Sequence, residues 1–213
     1  MASVTVQVEA NADDGDRNYD SGASAWNFSN SANYVRIGSE NGGSGATDIT
    51  CYFRFLSVGI PSGATITAAK IQYKLNTAYS ASSKACDIHA EDADSAGAIA
   101  NDSAMTTSQA AATSAKTTWT IATSSSSDFL DSSDFAAVIQ EVVDRGGWAE
   151  DNNMVIHLLN PTDAGMMSSH EMQIKAHEAS SGADAVKLVV TYTTPAIILA
   201  PVAAKANILG MMD

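Results

Sequence analysis

A short run of carboxylates near the start of the chain is the first set of residues with a recognisable chemistry. Asp13, Asp14 and Asp16 are closely spaced and are flanked by Asn11 and Asn18. Carboxylate and amide oxygens at short spacing are the ligands that Ca²⁺ takes in protein loops. We therefore interpret the three aspartates as candidate calcium ligands, although the run lacks the full pattern of an EF-hand loop. A solvated acidic loop without an ion is the alternative interpretation.

The four histidines do not show the spacing that catalysis or zinc binding requires. His89 and His157 fall in the middle of strand-like runs, whereas His170 and His177 are each followed by a glutamate. Zinc sites need converging ligands, and a nucleophilic serine usually lies on a recognisable turn such as Gly-x-Ser-x-Gly, which this sequence lacks. Aromatic residues make up 7% of the chain, which is few for a cleft that stacks sugars. We predict that the chain is not an enzyme.

The two cysteines, Cys51 and Cys86, both lie inside strand-like runs. Unpaired cysteines at such positions are usually buried, so we expect two buried free thiols. A disulfide is the alternative, and it would require neighbouring strands and an oxidising compartment. The sequence does not decide between the two states.

The charge balance excludes several classes of partner. Lysine and arginine total 11 residues against 24 aspartates and glutamates, which gives a formal net charge of −13. A surface this acidic repels nucleic acid and anionic lipid, so we expect neither as a partner. No continuous apolar run is long enough for a transmembrane helix, which takes about 18 residues or more. Met1 begins neither a basic nor an apolar leader, and we expect synthesis in the cytoplasm.

The elements that would position these residues are mostly strands. Apolar and polar residues alternate in at least seven segments, of which Thr50–Leu56 is the clearest: Cys51, Phe53 and Phe55 share one face. Residues 11–31 and 93–116 are polar or rich in small residues and are interpreted as long loops. The pattern predicts eight or nine strands in an all-β, antiparallel jelly-roll β-sandwich over residues 1–194.

One segment departs from this alternation and has helical spacing. Ser133 or Asp134 can cap its start, and Gly146-Gly147 ends it. We predict a short amphipathic helix over residues 134–145, the only long helix of the chain. Its apolar face consists of Phe135, Val138, Ile139, Val142 and Val143.

The last segment, residues 195–213, is apolar and nearly uncharged. Pro195 and Pro201 prevent a continuous helix, and an exposed tail of this kind would favour aggregation. We predict an extended C-terminal arm that packs on a neighbouring subunit. Its candidate partner-binding residues are Ile197, Ile198, Leu199, Val202, Ile208 and Leu209.

Four segments, in this order, carry a resemblance to a known type of module. They are Tyr52-Phe53-Arg54-Phe55, residues 60–70 (IPSGATITAAK), residues 138–148 (VIQEVVDRGGW) and residues 186–192 (VKLVVTY). Together they resemble the jelly-roll β-sandwich modules of the disaggregatase-related and DNRLRE type, across about residues 4–192. The resemblance implies the sandwich fold and a buried Trp148. Such modules serve in polysaccharide-associated surface proteins and in virus particles, so function is left open. Residues 163–170 depart from the compact turn of these modules.

These features lead to two functional hypotheses. The first is a non-enzymatic structural protein of a virus particle, most specifically a bacteriophage capsid cement (decoration) protein or a tail component. It would form a homo-oligomer, with a trimer as our expectation, and would dock on the major capsid protein or another virion protein. The alternative is a carbohydrate-binding module of a prokaryotic surface protein, which would be expected to carry an aromatic platform.

Overall fold

A computed structural model of the chain describes residues 1–20, 22–42, 45–81, 84–125, 127–160 and 171–194. The strands are β1 (Ala2–Gln7), β2 (Asp14–Asp20), β3 (Ala25–Ser29), β4 (Tyr34–Gly42), β5 (Gly45–Val58), β6 (Thr65–Tyr73), β7 (Lys84–Ala90), β8 (Thr117–Ile121), β9 (Leu130–Asp131), β10 (Asn152–Leu159), β11 (Glu171–Lys175) and β12 (Lys187–Thr193). The helices are α1 (Asp102–Ala110) and α2 (Ala136–Val143), and two short 3₁₀ turns cover Asn11–Asp13 and His177–Ser180.

The strands form two sheets whose pairs are all antiparallel among the described residues. One sheet has four strands in the order β1-β12-β6-β9. The other has eight, with β11-β4-β5-β10-β7-β8 in sequence, β2 beside β5, and β3 beside β2. The chain passes from one sheet to the other and back, as from β5 to β6 to β7. The predicted all-β antiparallel sandwich is confirmed.

The main apolar core lies between the two sheets and follows the predicted alternation. Cys51, Phe53 and Phe55 of β5 all point into it and are fully buried. Tyr52, on the opposite face of β5, is also fully buried, because it belongs to a second apolar cluster on the outer side of the eight-stranded sheet. β5 is therefore covered on both faces.

Helix α2 closes the main core. Its four aliphatic side chains at helical spacing, Val138, Ile139, Val142 and Val143, are buried. Asp134 Oδ1 accepts a hydrogen bond of 2.8 Å from the amide of Ala136 at the start of the helix. The prediction of an amphipathic helix here is confirmed.

The predicted loop over residues 11–31 is wrong. Much of this segment forms the hairpin of β2 and β3, and β2 pairs along β5 from Asp14 opposite Phe53 to Asn18 opposite Ile49. Its polar composition hid the strand, because Asp14 and Asp16 point inward with the core residues of β5 and are satisfied there by hydrogen bonds. With this hairpin the described residues form twelve strands, whereas eight or nine were predicted.

The second correction concerns residues 93–116, predicted as a loop. They contain α1, which is one residue longer than α2, so α2 is not the only long helix. Asn101 caps α1 by accepting a hydrogen bond of 2.9 Å from the amide of Ala104. Its buried residues are Met105 and Ser108, which gives no apolar periodicity to detect. Neither helix in the described part of the chain is long and apolar enough to cross a membrane.

Candidate functional site

The three aspartates predicted to bind calcium are buried and do not surround a common point. Asp13 ends the first 3₁₀ turn, and Asp16 points inward from β2. Arg54 forms an ion pair of 2.9 Å with Asp13, and Arg36 forms one of 2.9 Å with Asp16. The described residues contain no group of three or more His, Cys, Asp or Glu side chains that could hold a metal ion. Asp13, Asp14 and Asp16 therefore do not form the predicted calcium site, since arginines neutralise two of them.

Asp14 lies in a different environment from the other two aspartates. Its side chain accepts a hydrogen bond of 2.9 Å from the amide of His177, and it is almost fully buried. Burial raises its pKa from 3.8 to about 8, and the negative charges of Glu178 and Asp13 add to the shift. Asp14 is therefore largely protonated at neutral pH. It joins the start of β2 to the turn at His177, whose Nδ1 is 2.9 Å from Asn11 Oδ1.

A serine, a histidine and a glutamate meet beneath α1. Ser108 Oγ lies 2.6 Å from Glu91 Oε2 and 2.8 Å from His157 Nε2. A hydroxyl has one proton to donate, and the shorter contact is to the charged acceptor. Ser108 therefore donates to Glu91 and accepts from the Nε2–H of His157.

This arrangement is the reverse of a catalytic triad. In a triad the histidine accepts the serine proton at one nitrogen and donates to a carboxylate from the other. Here the carboxylate contacts Ser108, and His157 Nδ1 has no hydrogen-bond partner among the described residues. Burial lowers the pKa of His157 to about 3, and the nearby His89 and Arg17 contribute. A fully buried imidazole with so low a pKa is a poor general base. The group orders α1 and does not activate a nucleophile.

Periodicity arguments missed this site. His157, which falls in a strand-like run of the sequence, is fully buried because α1 covers it. A cleft of about 260 Å³ runs beside α1 and is lined by residues that include Glu91, Ile99 and Ser108. Ser108 is polar and lies on a helix without an apolar face, so the spacing of apolar residues could not reveal its contacts with Glu91 and His157.

The tryptophans do not supply an exposed aromatic platform in the described structure. Trp119 and Trp148 are buried, and Trp148 Nε1 donates to the carbonyl of Ile60 at 2.9 Å. Trp26 on β3 is half-buried, and the Arg17 guanidinium lies 4.2 Å from its ring centroid. The implied burial of Trp148 is confirmed.

The two cysteines are free and buried. Cys51 of β5 and Cys86 of β7 belong to strands that β10 separates, because Leu158 of β10 pairs with Cys51 on one side and with Ile88 on the other. Burial raises the pKa of both thiols. The expectation of two buried free thiols is confirmed.

The predicted partner-binding residues of the arm lie outside the described residues, as does His170. The last described residue of the chain is Thr194, which directly precedes this segment and is exposed. The residues concerned are Ile197, Ile198, Leu199, Val202, Ile208 and Leu209.

No protein-family model matches the chain, and no curated protein sequence matches it significantly.

Proposed function

We propose that this chain is a non-enzymatic structural protein that docks on a protein lattice, most specifically as a bacteriophage capsid cement protein or tail component. The supporting observation is that β12, the last described strand, is paired on both sides just before the apolar segment of the sequence. Tyr192 of β12 pairs with Ala2 on one side and with Ile66 on the other. The next residues of the sequence after the exposed Thr194 are those of the apolar segment, residues 195–213.

The described surface itself offers little apolar area to a partner. Its one exposed large hydrophobic side chain is Met1. Aliphatic residues available for docking are instead concentrated in the sequence of residues 195–213. Burying six of them would contribute on the order of 10 kcal/mol, at about 1.5–3 kcal/mol each, before the entropy of ordering the segment is subtracted.

The charges of the described surface favour a basic partner. Several basic side chains are already paired within the subunit, so the excess of carboxylates is left for solvent or for a neighbour. A lattice protein with a basic face would be attracted to such a surface. Besides Arg36–Asp16 and Arg54–Asp13, the internal pairs among the described residues include Arg17–Asp102, Lys70–Asp131, Lys74–Asp184, Lys175–Asp184, Lys116–Asp87 and Arg145 with Asp92 and Asp94.

Truncation after Thr194 tests this role. We expect the shortened chain to keep its thermal unfolding transition and to lose self-association or particle binding, measured by analytical ultracentrifugation and by co-sedimentation with particles from the native source. A full-length chain carrying Ile197→Asp and Leu199→Asp should behave in the same way, which separates the loss of apolar side chains from the loss of length. A truncated chain that assembles normally would contradict the proposal, and one that unfolds would mean that residues 195–213 belong to the core.

A carbohydrate-binding role is the alternative, and the pair formed by Tyr19 and Trp26 favours it. Their ring centroids are 5.3 Å apart with an interplanar angle of 59°, and both rings are half-buried on the β2–β3 hairpin. Binding to a polysaccharide panel that Trp26→Ala abolishes would support this role. Binding that is absent from both proteins would favour the structural role.

A further inference from the structure

The four-stranded sheet has one edge at β1, and the backbone groups exposed there can be identified from the register. The amide of Val8 donates to the carbonyl of Val186 at 3.0 Å, so this opposed pair is hydrogen-bonded. Hydrogen-bonded pairs alternate along an antiparallel ladder. With Val6 opposite Leu188 and Val4 opposite Val190, the even-numbered residues bond to β12. The amides and carbonyls of Ser3, Thr5 and Gln7 therefore point away from β12, and no described residue bonds to them.

The opposite edge of β6 is covered instead, by the short strand β9 at Gln72 and Tyr73 and by the segment that follows β9. The amide of Phe135 donates to the carbonyl of Ala69, and the amide of Ser132 donates to the carbonyl of Ile71. The side chains of Asp134 and Ser132 accept from the amides of Ala69 and Ile71. The segment before α2 thus completes the β6 edge, whereas β1 has no such cover among the described residues.

β1 also lacks the features that usually prevent edge strands from pairing. Sheet edges are commonly protected by charges, prolines or bulges. The sequence of β1 is ASVTVQ, which has no charge and no proline, and its register with β12 is continuous. Ser3 and Thr5 are exposed. The edge is a regular, uncharged strand with free hydrogen-bonding groups.

We propose that β1 pairs antiparallel with β1 of a second copy of this chain, across a two-fold axis at Thr5. This register places Thr5 opposite Thr5 and Ser3 opposite Gln7, so all three outward residues bond to the other copy. It also keeps Val4 opposite Val6 on the inner face, which preserves the pleat. Two four-stranded sheets would then become one continuous sheet of eight strands.

The lack of charge on β1 and its self-complementary register favour a second copy as the occupant of this edge. Two chains with a net charge of −13 repel each other over most orientations. An uncharged strand lets two copies approach with the least repulsion. The proposal shares self-association with the role proposed above but uses none of residues 195–213.

Opposite charges at position 5 test the symmetry of the pairing directly. Thr5→Lys and Thr5→Glu each place like charges opposite each other in the full-length chain, and we expect either variant alone to dimerise at least tenfold more weakly than the wild type. An equimolar mixture should recover the dimer, because lysine then faces glutamate. Thr5→Ser is the matched control and should dimerise normally. Sedimentation over a concentration series gives the constants, and thermal melting verifies the fold.

Failure of this proposal is distinct from failure of the proposed function. If Thr5→Lys dimerises like the wild type, or the mixture shows no recovery, β1 is not the interface, even when truncation after Thr194 abolishes assembly. If the chain truncated after Thr194 stays dimeric and is dissociated by Thr5→Lys, β1 is the interface, and the loss of particle binding on truncation is then the test of residues 195–213. A wild-type chain that remains monomeric throughout the series overturns the pairing.

Discussion

The two helices of the described chain pack against the strands through different kinds of contact, α2 mainly apolar and α1 mainly polar. α2 packs four aliphatic side chains against β6 and β7 at one side of the main core. α1 lies on the outer face of the eight-stranded sheet, and Met105 is its one large buried side chain. Much of its attachment is polar.

Polar side chains of the strands β2, β5 and β10 contact α1 and hold it in place. Arg17 of β2 contacts Asp102, Thr106 and Gln109 of the helix. Gln109 in turn donates to Thr50 of β5 at 3.0 Å. Removing methyl groups from an apolar contact lowers stability in steps that follow the volume removed. Removing one group from a polar network instead leaves its partner without a hydrogen bond. The two helices should therefore respond differently to small substitutions.

The largest effect is expected on the apolar side. Ile139→Ala should lower the free energy of unfolding by about 2–5 kcal/mol, because it removes buried methyl groups and leaves a cavity in the main core. Ile139→Val is the graded control and should cost about 0.5–1.5 kcal/mol. Urea denaturation at a fixed pH measures both. A loss below 1 kcal/mol for the alanine variant would mean that α2 is peripheral to the core.

A smaller effect, which depends on pH, is expected from Asp14, whose side chain is buried beside the main core. The pKa of Asp14 is about 8 in the folded chain, against 3.8 ordinarily. The folded state therefore holds this proton more tightly, and the contribution of Asp14 to stability falls as pH rises from about 4 to about 8.

Asp14→Asn, which resembles the protonated acid, should remove this pH dependence. We expect the variant to match the wild type in unfolding free energy near pH 4 and to exceed it increasingly as pH rises toward 9. Asp131→Asn is the control, because contacts with Lys70 and Gln72 lower the pKa of Asp131, so its contribution to stability changes only below about pH 4 and this variant should keep a constant difference from the wild type between pH 4 and pH 9. Thermal melting from pH 4 to pH 9 measures both. A constant difference between Asp14→Asn and the wild type over this range would show that Asp14 stays ionised.

The contrast between the helices also explains what the sequence could predict. Burial of an apolar face imposes a period, so α2 and the inward residues of β5 were predicted correctly. α1 and the β2–β3 hairpin were missed, because their contacts are polar and impose no period. A cap at Asn101 was the one local signal for α1, and asparagine is equally common in turns.

The candidate site was less predictable than the fold. The aspartates at 13, 14 and 16 were recognised as unusual, but their partners Arg54, Arg36 and His177 are distant in sequence. Spacing along the chain predicts ligands only when the residues lie in one loop. Here Asp13 ends a 3₁₀ turn, Asp14 and Asp16 lie on β2, and their partners come from three other parts of the chain.

The smallest effect is expected for the polar contacts of α1. Ser108→Ala removes the hydroxyl that links Glu91 to His157 beneath α1 and leaves the buried His157 and the half-buried Glu91 without that partner. We expect a loss of about 1–2 kcal/mol in the free energy of unfolding, since a buried unsatisfied group costs about 1–3 kcal/mol and alanine itself favours the helix slightly.

Ser103→Ala is the matched control, because Ser103 is exposed on the same helix and its substitution should change stability by less than 0.5 kcal/mol, about the usual limit for surface sites. Amide hydrogen exchange should show faster exchange in α1 of Ser108→Ala, while α2 keeps its protection, because α2 packs on the main core and the two helices share no polar contact in the described structure. Equal protection of α1 in both variants would mean that Met105 and Arg17 suffice to hold the helix. It would also mean that the buried histidine finds its partner in water instead of in Ser108.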